Sequence, residues 1–191
     1  MWANRTVRAE VIEWALETIQ RPDVLYLDTE TTGLGDRDEL VDIAAVDNGG
    51  RVLLNTLIKP RRPIPRDATS IHGITDEMVR TAPSWTDVYP RYLDLLERYR
   101  HVIVYNADFD QRMIQQTCIA VTLSPPRATW HCAMKRYSTF AGEPDRYGRG
   151  YRWFQLGQAA SRLGVTLVPD HTALADAQTC REVVRAMAAT L

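Results

Sequence analysis

Asp28, Glu30, Asp110 and Asp176, together with His171, have the types and spacing to gather around metal ions. Asp28 closes a short apolar run, Val24 to Leu27, and Glu30 lies two residues on. Side chains two apart on extended chain point the same way, so both carboxylates face one side at the carboxyl end of a strand. Open α/β sheets collect their ligands at that edge. The same residues, Asp-Thr-Glu-Thr-Thr-Gly, are also good turn chemistry, which leaves a capping loop open for this pair alone. Asp110 follows a second apolar run, His101 to Tyr105, in the opening turns of a helix. An acid there can simply complement the helix dipole, yet the order of elements also puts it at the edge that holds Asp28.

Asp176 is harder to explain as an ordinary surface acid. Ala173, Ala177, Cys180, Val184, Met187 and Leu191 recur at three- and four-residue steps, and Asp176 lies on or beside that stripe. An unpaired carboxylate facing a core costs several kcal/mol, so it should be protonated, paired or bound to metal. No Lys or Arg precedes it by one turn, and Arg181 is off its face. A pair with a distant Arg stays open, but a metal accounts for all four acids at once. His171 is five residues ahead, about 140° away on a regular helix, which puts it in the loop or first turn leading into that helix.

These residues need a scaffold. Helical spacing of Val7, Val11, Ile12, Ala15, Leu16 and Ile19 predicts an amphipathic helix over 7–19, stopped by Pro22. Strands are expected at 24–27, 40–46 and 52–58, the last two joined by the hairpin signal Asp47-Asn48-Gly49-Gly50. Prolines 60, 63 and 65 mark a loop, and Ser84 to Asp87 a helix cap, with Pro90 bending or delaying the helix it opens. A strand at 101–105 and a helix at 107–117 follow, then a mobile Gly-, Arg- and Tyr-rich loop at 142–152, and helices near 153–163 and 172–190. The hairpin requires an antiparallel strand, so the sheet is mixed and flanked by helices.

The chain's 191 residues suffice for one well-cored domain. Hydrophobic residues at 45% and charged residues at 25% match a folded, water-soluble protein. No apolar window reaches membrane-spanning length, so no membrane association is expected. Cys118, Cys132 and Cys180 form no C-x-x-C pair and read as buried thiols in a reducing, cytoplasmic setting. Net charge is −1, without the basic excess of a passive nucleic-acid binder, although a local basic surface can coexist with a gathered set of acids.

Together these segments resemble the DEDDh exonucleases, a superfamily of ribonuclease H-like fold that includes the proofreading epsilon subunit of bacterial DNA polymerase III, RNase T and the TREX-type nucleases. The motif D-x-E-T-T-G stands as Asp28 to Gly33, and H-N-x-x-F-D as Tyr105, Asn106, Ala107, Asp108, Phe109 and Asp110. H-x-A-x-x-D stands as His171 to Asp176, and an auxiliary H-G-I-T as His72 to Thr75. Any one motif is weak; three in register are strong. Tyr105 replaces the common His, at a position that is not a metal ligand in the family.

The resemblance implies an α/β fold with a mixed five-stranded sheet, one antiparallel strand and helices on both faces. It implies a helical extension at 1–22 ahead of an exonuclease domain at 23–191. The implied activity is 3′→5′ hydrolysis of DNA, single-stranded or frayed, to nucleoside 5′-monophosphates. Two ions, Mg²⁺ or Mn²⁺, would be held with Asp28 bridging, Glu30 and Asp176 completing one ion and Asp110 supporting the other, with His171 as general base. Thr31, Leu34, His72, Asn106 and Phe109 would grip the terminal nucleotide. DNA is the preferred partner over RNA, within a possible polymerase or repair complex. Two alternatives are an exoribonuclease or oligoribonuclease-type enzyme and a non-catalytic module that binds nucleic-acid machinery.

Overall fold

A computed structural model describes residues 2–167 and 172–190. Its framework is a five-stranded sheet of β1 (Val24–Thr31), β2 (Leu40–Asp47), β3 (Val52–Leu57), β4 (His101–Val104) and β5 (Thr129–Cys132), in the order β3-β2-β1-β4-β5. β2 runs antiparallel to both β1 and β3, whereas β1, β4 and β5 are parallel. The sheet is therefore mixed, with one strand reversed. The β2–β3 turn is built at the expected residues: Gly50 takes φ +85°, a value L residues resist, and its N–H bonds to the Asp47 carbonyl at 2.9 Å.

Helices cover both faces. α1 (Trp2–Gln20), α6 (Ala133–Ala141), α7 (Leu156–Arg162) and α8 (Ala173–Ala188) pack on one, sharing a core with Val24 and Tyr26. α4 (Trp85–Arg98) and α5 (Ala107–Ala120) pack on the other, with Leu25, Leu27, Val102 and Val104. Val24 to Leu27 are all at most 1% exposed, as a strand buried on both sides demands. Two short helices, α2 (Arg66–His72) and α3 (Asp76–Val79), close over the end of β2 through Ile64, Ala68, Ile74 and Val79 around Val41.

α1 extends the 7–19 reading by several residues at its start, and it buries Val11 and Ala15. α4 begins directly after Ser84, whose capping box with Asp87 is formed, and continues through Pro90. α7 is shorter than the 153–163 reading, because Phe154 is in loop. The periodicity reading gave no sign of β5, α2, α3 or α6. All three cysteines are free, but Cys132 is only partly buried, since it sits at the end of the edge strand β5. No helix among the described residues is long and apolar enough to cross a membrane.

Candidate active site

The alternation along β1 assigns each polar residue at its end to a face. Asp28 and Glu30 continue the Val24–Tyr26 side, toward α8, while Thr29 continues the Leu25–Leu27 side, toward α5. Asp176, in the first turn of α8, meets the first pair there: Asp28, Glu30 and Asp176 each offer a carboxylate oxygen, and these lie within 4.8 Å of one another. Asp110, in the first turn of α5 and 3% exposed, approaches from the other side. The Thr29 hydroxyl donates to its Oδ1 at 2.7 Å. So four acids from three separate stretches do gather at the carboxyl edge. His171 lies outside the described residues; the residue after it, Thr172, is the N-cap of α8 and accepts from the Ala175 amide.

Electrostatics shows how costly this gathering is. Burial raises the Asp28 pKa well above the usual carboxylate range, and repulsion from Asp110, Asp176, Glu30 and Asp42 raises it further. Glu30 is pushed up to about 8 by burial, then by Asp176, Asp42 and Asp110. Asp110 is raised to about 7 by burial, against the Thr29 hydrogen bond, which lowers it. The neighbouring charges that act on Asp28 and Glu30 are all acidic. Convergent oxygen donors with no cationic side chain among those charges fit hard divalent cations, and they are a poor fit for zinc, which favours His and Cys ligands.

A fifth acid was missed. Asp42 is 4% exposed and stands opposite Glu30 in the β1–β2 register, and its Oδ2 accepts the Ala173 amide at 3.3 Å. It therefore ties β2 to the first turn of the helix that carries Asp176. One signal was available: an acid inside the apolar run Leu40 to Val46 has no place in a strand covered on both faces unless something at its end needs charge. Just past this pair the register shifts between Glu30 and Thr31, an irregularity of the kind that re-aims side chains beside active sites.

Next to Glu30 a cleft of about 470 Å³ opens, lined by Thr31, Leu34, Ile71, His72 and Phe109 among others. Its floor loop is tightly fixed. Thr31 donates to the Gly33 carbonyl and Thr32 to Asp38, each at 2.8 Å, and Gln116 on α5 holds the Gly35 and Asp38 carbonyls. A Cβ at Gly33 would fall 2.6 Å from an Asp38 carboxylate oxygen, so any other residue there must displace the Asp38 side chain that Thr32 and the Gly35 amide hold. This pinning holds Leu34 out on the rim at 78% exposure. Ile71 faces it from α2 at 70% exposure, a cleft residue that sequence reasoning did not single out.

His72 is buried and braced. Its Nδ1 accepts the Ile74 amide at 3.0 Å, which leaves the proton on Nε2 to donate to the Thr31 carbonyl at 3.2 Å. With both ring nitrogens engaged by backbone, it offers the cleft its ring surface. Phe109 is partly exposed to the cleft and carries the Arg112 guanidinium 5.5 Å from its ring centre. Asn106 is exposed at the N-cap of α5 and is not among the residues lining this cleft. Arg61 pairs with Glu39 at 3.2 Å and donates to the Ala120 carbonyl.

A mixed sheet with one reversed strand, helices on both faces and acids clustered at the carboxyl edge is the ribonuclease H-like architecture of the DEDDh exonucleases. The family model described as "Exonuclease", of RNase T type, matches residues 25–184. The chain belongs to this exonuclease family. It is 41% identical to the uncharacterized exonuclease CP81 of Escherichia phage 186, over 97% of this chain and 95% of that protein. Among solved structures it is similar to exonuclease X in complex with 5′-overhanging duplex DNA, at 25% identity and TM-score 0.59, over 84% of this chain and 89% of that one. The fold is also that of the nuclease domain of 3′hExo, a DEDDh family member bound to rAMP, at 16% identity and TM-score 0.70, over 87% and 92% of the two chains.

Proposed function

We propose that this protein is a divalent-metal-dependent 3′→5′ exonuclease that removes nucleotides from single-stranded or frayed DNA and releases nucleoside 5′-monophosphates. The observation that carries the reading is the convergence of Asp28, Glu30 and Asp176 oxygens within 4.8 Å, with Asp110 alongside, at the mouth of a nucleotide-sized cleft. DNA is favoured because exonuclease X, similar in sequence as well as fold, was solved on duplex DNA.

Asp28, Glu30, Asp110 and Asp176 would hold two Mg²⁺ or Mn²⁺ ions, with Asp28 shared. When bound, such ions supply Lewis-acid stabilisation of the charge that builds on the attacking and leaving oxygens of an in-line displacement. Leu34 and Phe109 flank the terminal base, and Thr31 with its neighbouring backbone meets the 3′-hydroxyl. His72 holds that backbone in place through the Thr31 carbonyl. Asn106 contacts the strand at the start of α5. His171, one residue before the cap of the helix that carries Asp176, takes a proton from the attacking water as its oxygen bonds to phosphorus and the P–O3′ bond breaks. Imidazole is the side chain whose ordinary titration range lies near neutral pH, which suits a general base. Residues 23–191 carry this chemistry, and α1 within 1–22 is an added helix packed into the same core as α8. Three free thiols support a cytoplasmic address.

The test uses 5′-labelled single-stranded DNA, duplex DNA and RNA with Mg²⁺, Mn²⁺ or chelator. A ladder shortening from the 3′ end, lost with chelator, in Asp28→Asn and in His171→Ala, is expected. Internal cuts, shortening of RNA alone, or full activity in chelator would each remove the corresponding part of the reading.

A further inference from the structure

Residues 142–155 leave α6 and return to α7 as a short arm whose order is built in. Pro144 and Tyr151 form a bridge, and Arg152 N–H bonds to the Glu143 carbonyl at 2.8 Å. The tip is closed by Asp145, whose Oδ1 accepts the amides of Tyr147 at 2.9 Å and Arg149 at 3.0 Å, around Gly148 at φ +67°. The arm's root is fastened to the catalytic edge of the sheet. Phe154 is 2% exposed and its carbonyl accepts the Tyr105 hydroxyl at 2.8 Å, and Tyr105 follows β4 directly, five residues before Asp110.

What this arm presents outward has no role within the fold. Tyr147 and Trp153 are 67% and 66% exposed, although aromatic rings of this size usually seek cover. The Arg146 guanidinium lies 4.5 Å from the Tyr147 ring centre. The Arg149 side chain is exposed and has no hydrogen-bond or ion-pair partner among the described residues. The arm's two acids are already occupied, Glu143 by Arg152 and Arg162, and Asp145 by the tip amides. Its free face is thus aromatic and cationic, on an arm whose root is tied through Tyr105 to the segment that leads from β4 to Asp110.

We propose that this arm is a stacking and phosphate-binding platform for the single-stranded nucleic acid that leads into the carboxylate site, an inference that rests on the nuclease reading above. Flat rings accept any base by stacking, and arginines track the backbone, the combination that single-strand binders use without sequence preference. It also resolves how a chain of net charge −1 retains a polyanion whose end must enter a cluster of acids.

Fluorescence anisotropy with 5′-fluorescein dT16 and dT4, in chelator, tests this independently of cleavage. Trp153→Ala and Tyr147→Ala are expected to weaken dT16 binding at least about fivefold and to erase the preference for dT16 over dT4, while Trp153→Phe and Tyr147→Phe keep both. Arg146→Gln and Arg149→Gln should each reduce the slope of log affinity against log salt by about 0.7. Unchanged dT16 affinity in the alanine variants, or equal losses in the phenylalanine variants, overturns the proposal. Cleavage of the same strand by the wild-type protein in Mg²⁺ is scored separately. Cleavage with arm-independent binding removes only this inference, and arm-dependent binding without cleavage removes only the exonuclease reading.

Discussion

The Thr29 hydroxyl donates a 2.7 Å hydrogen bond to Asp110, although Thr29 sits between two acids that face the opposite side of the sheet. One strand end thereby serves two faces: Asp28 and Glu30 reach α8, and Thr29 holds the α5 acid against the same edge. A hydrogen bond to a charged acceptor contributes about 1.5–3 kcal/mol, enough to keep a buried carboxylate oriented.

Thr29→Val should therefore injure the site without emptying it. Losing the donor raises the Asp110 pKa further and frees its orientation. Activity titrated against Mg²⁺ should show a midpoint shifted to about tenfold higher concentration, with a lower plateau. An unshifted midpoint would mean that Asp110 needs no such anchor.

The raised acids set a pH dependence for the cation-free protein. Glu30 at about 8 and Asp110 at about 7 hold more protons when folded than when unfolded at intermediate pH. Stability in chelator is then greatest in mild acid and falls as pH rises from near 4.5 toward 8. Cation binding must displace those protons, so Mg²⁺ should raise Tm far more at pH 8 than at pH 5. Thermal melts across that range, with and without Mg²⁺, check the sign; a flat difference would contradict it.

Asp42 opposes Glu30 across the β1–β2 pair, which like charges disfavour. Asp42→Asn keeps an acceptor for the Ala173 amide and removes the repulsion. In chelator at pH 8 its Tm should rise by about 2–4 °C, the shift that about 1 kcal/mol gives a chain of this size. Asp42→Ala loses the tie to α8 as well, and its turnover should fall at least about tenfold below that of Asp42→Asn. Equal turnover in the two variants would deny Asp42 any part in positioning α8.

Tyr105→Phe deletes the bond to the Phe154 carbonyl and leaves the ring packed. The expected loss is about 1 kcal/mol, or roughly 2–4 °C in Tm. Loosening of the 142–155 arm should also speed tryptic cleavage after Arg146 and Arg149, read by mass spectrometry. Unaltered cleavage would mean that the arm is held without Tyr105.

Much of this molecule is written in local patterns. The buried runs Val24 to Leu27 and His101 to Tyr105, the Asp47–Gly50 turn, the Ser84 cap and the stripe of α8 each follow from periodicity or turn chemistry within a few residues. The acids could be named because each stands where such a pattern ends or is interrupted. β5 could not be seen, since none of its four residues is fully buried and they show no alternation, and its pairing with β4 alone makes it a strand. Asp42 beside Glu30, Thr29 beneath Asp110, and Ile71 across from Leu34 depend on strand register and helix docking. Those pairs join residues up to 81 positions apart, and only the folded chain brings them together.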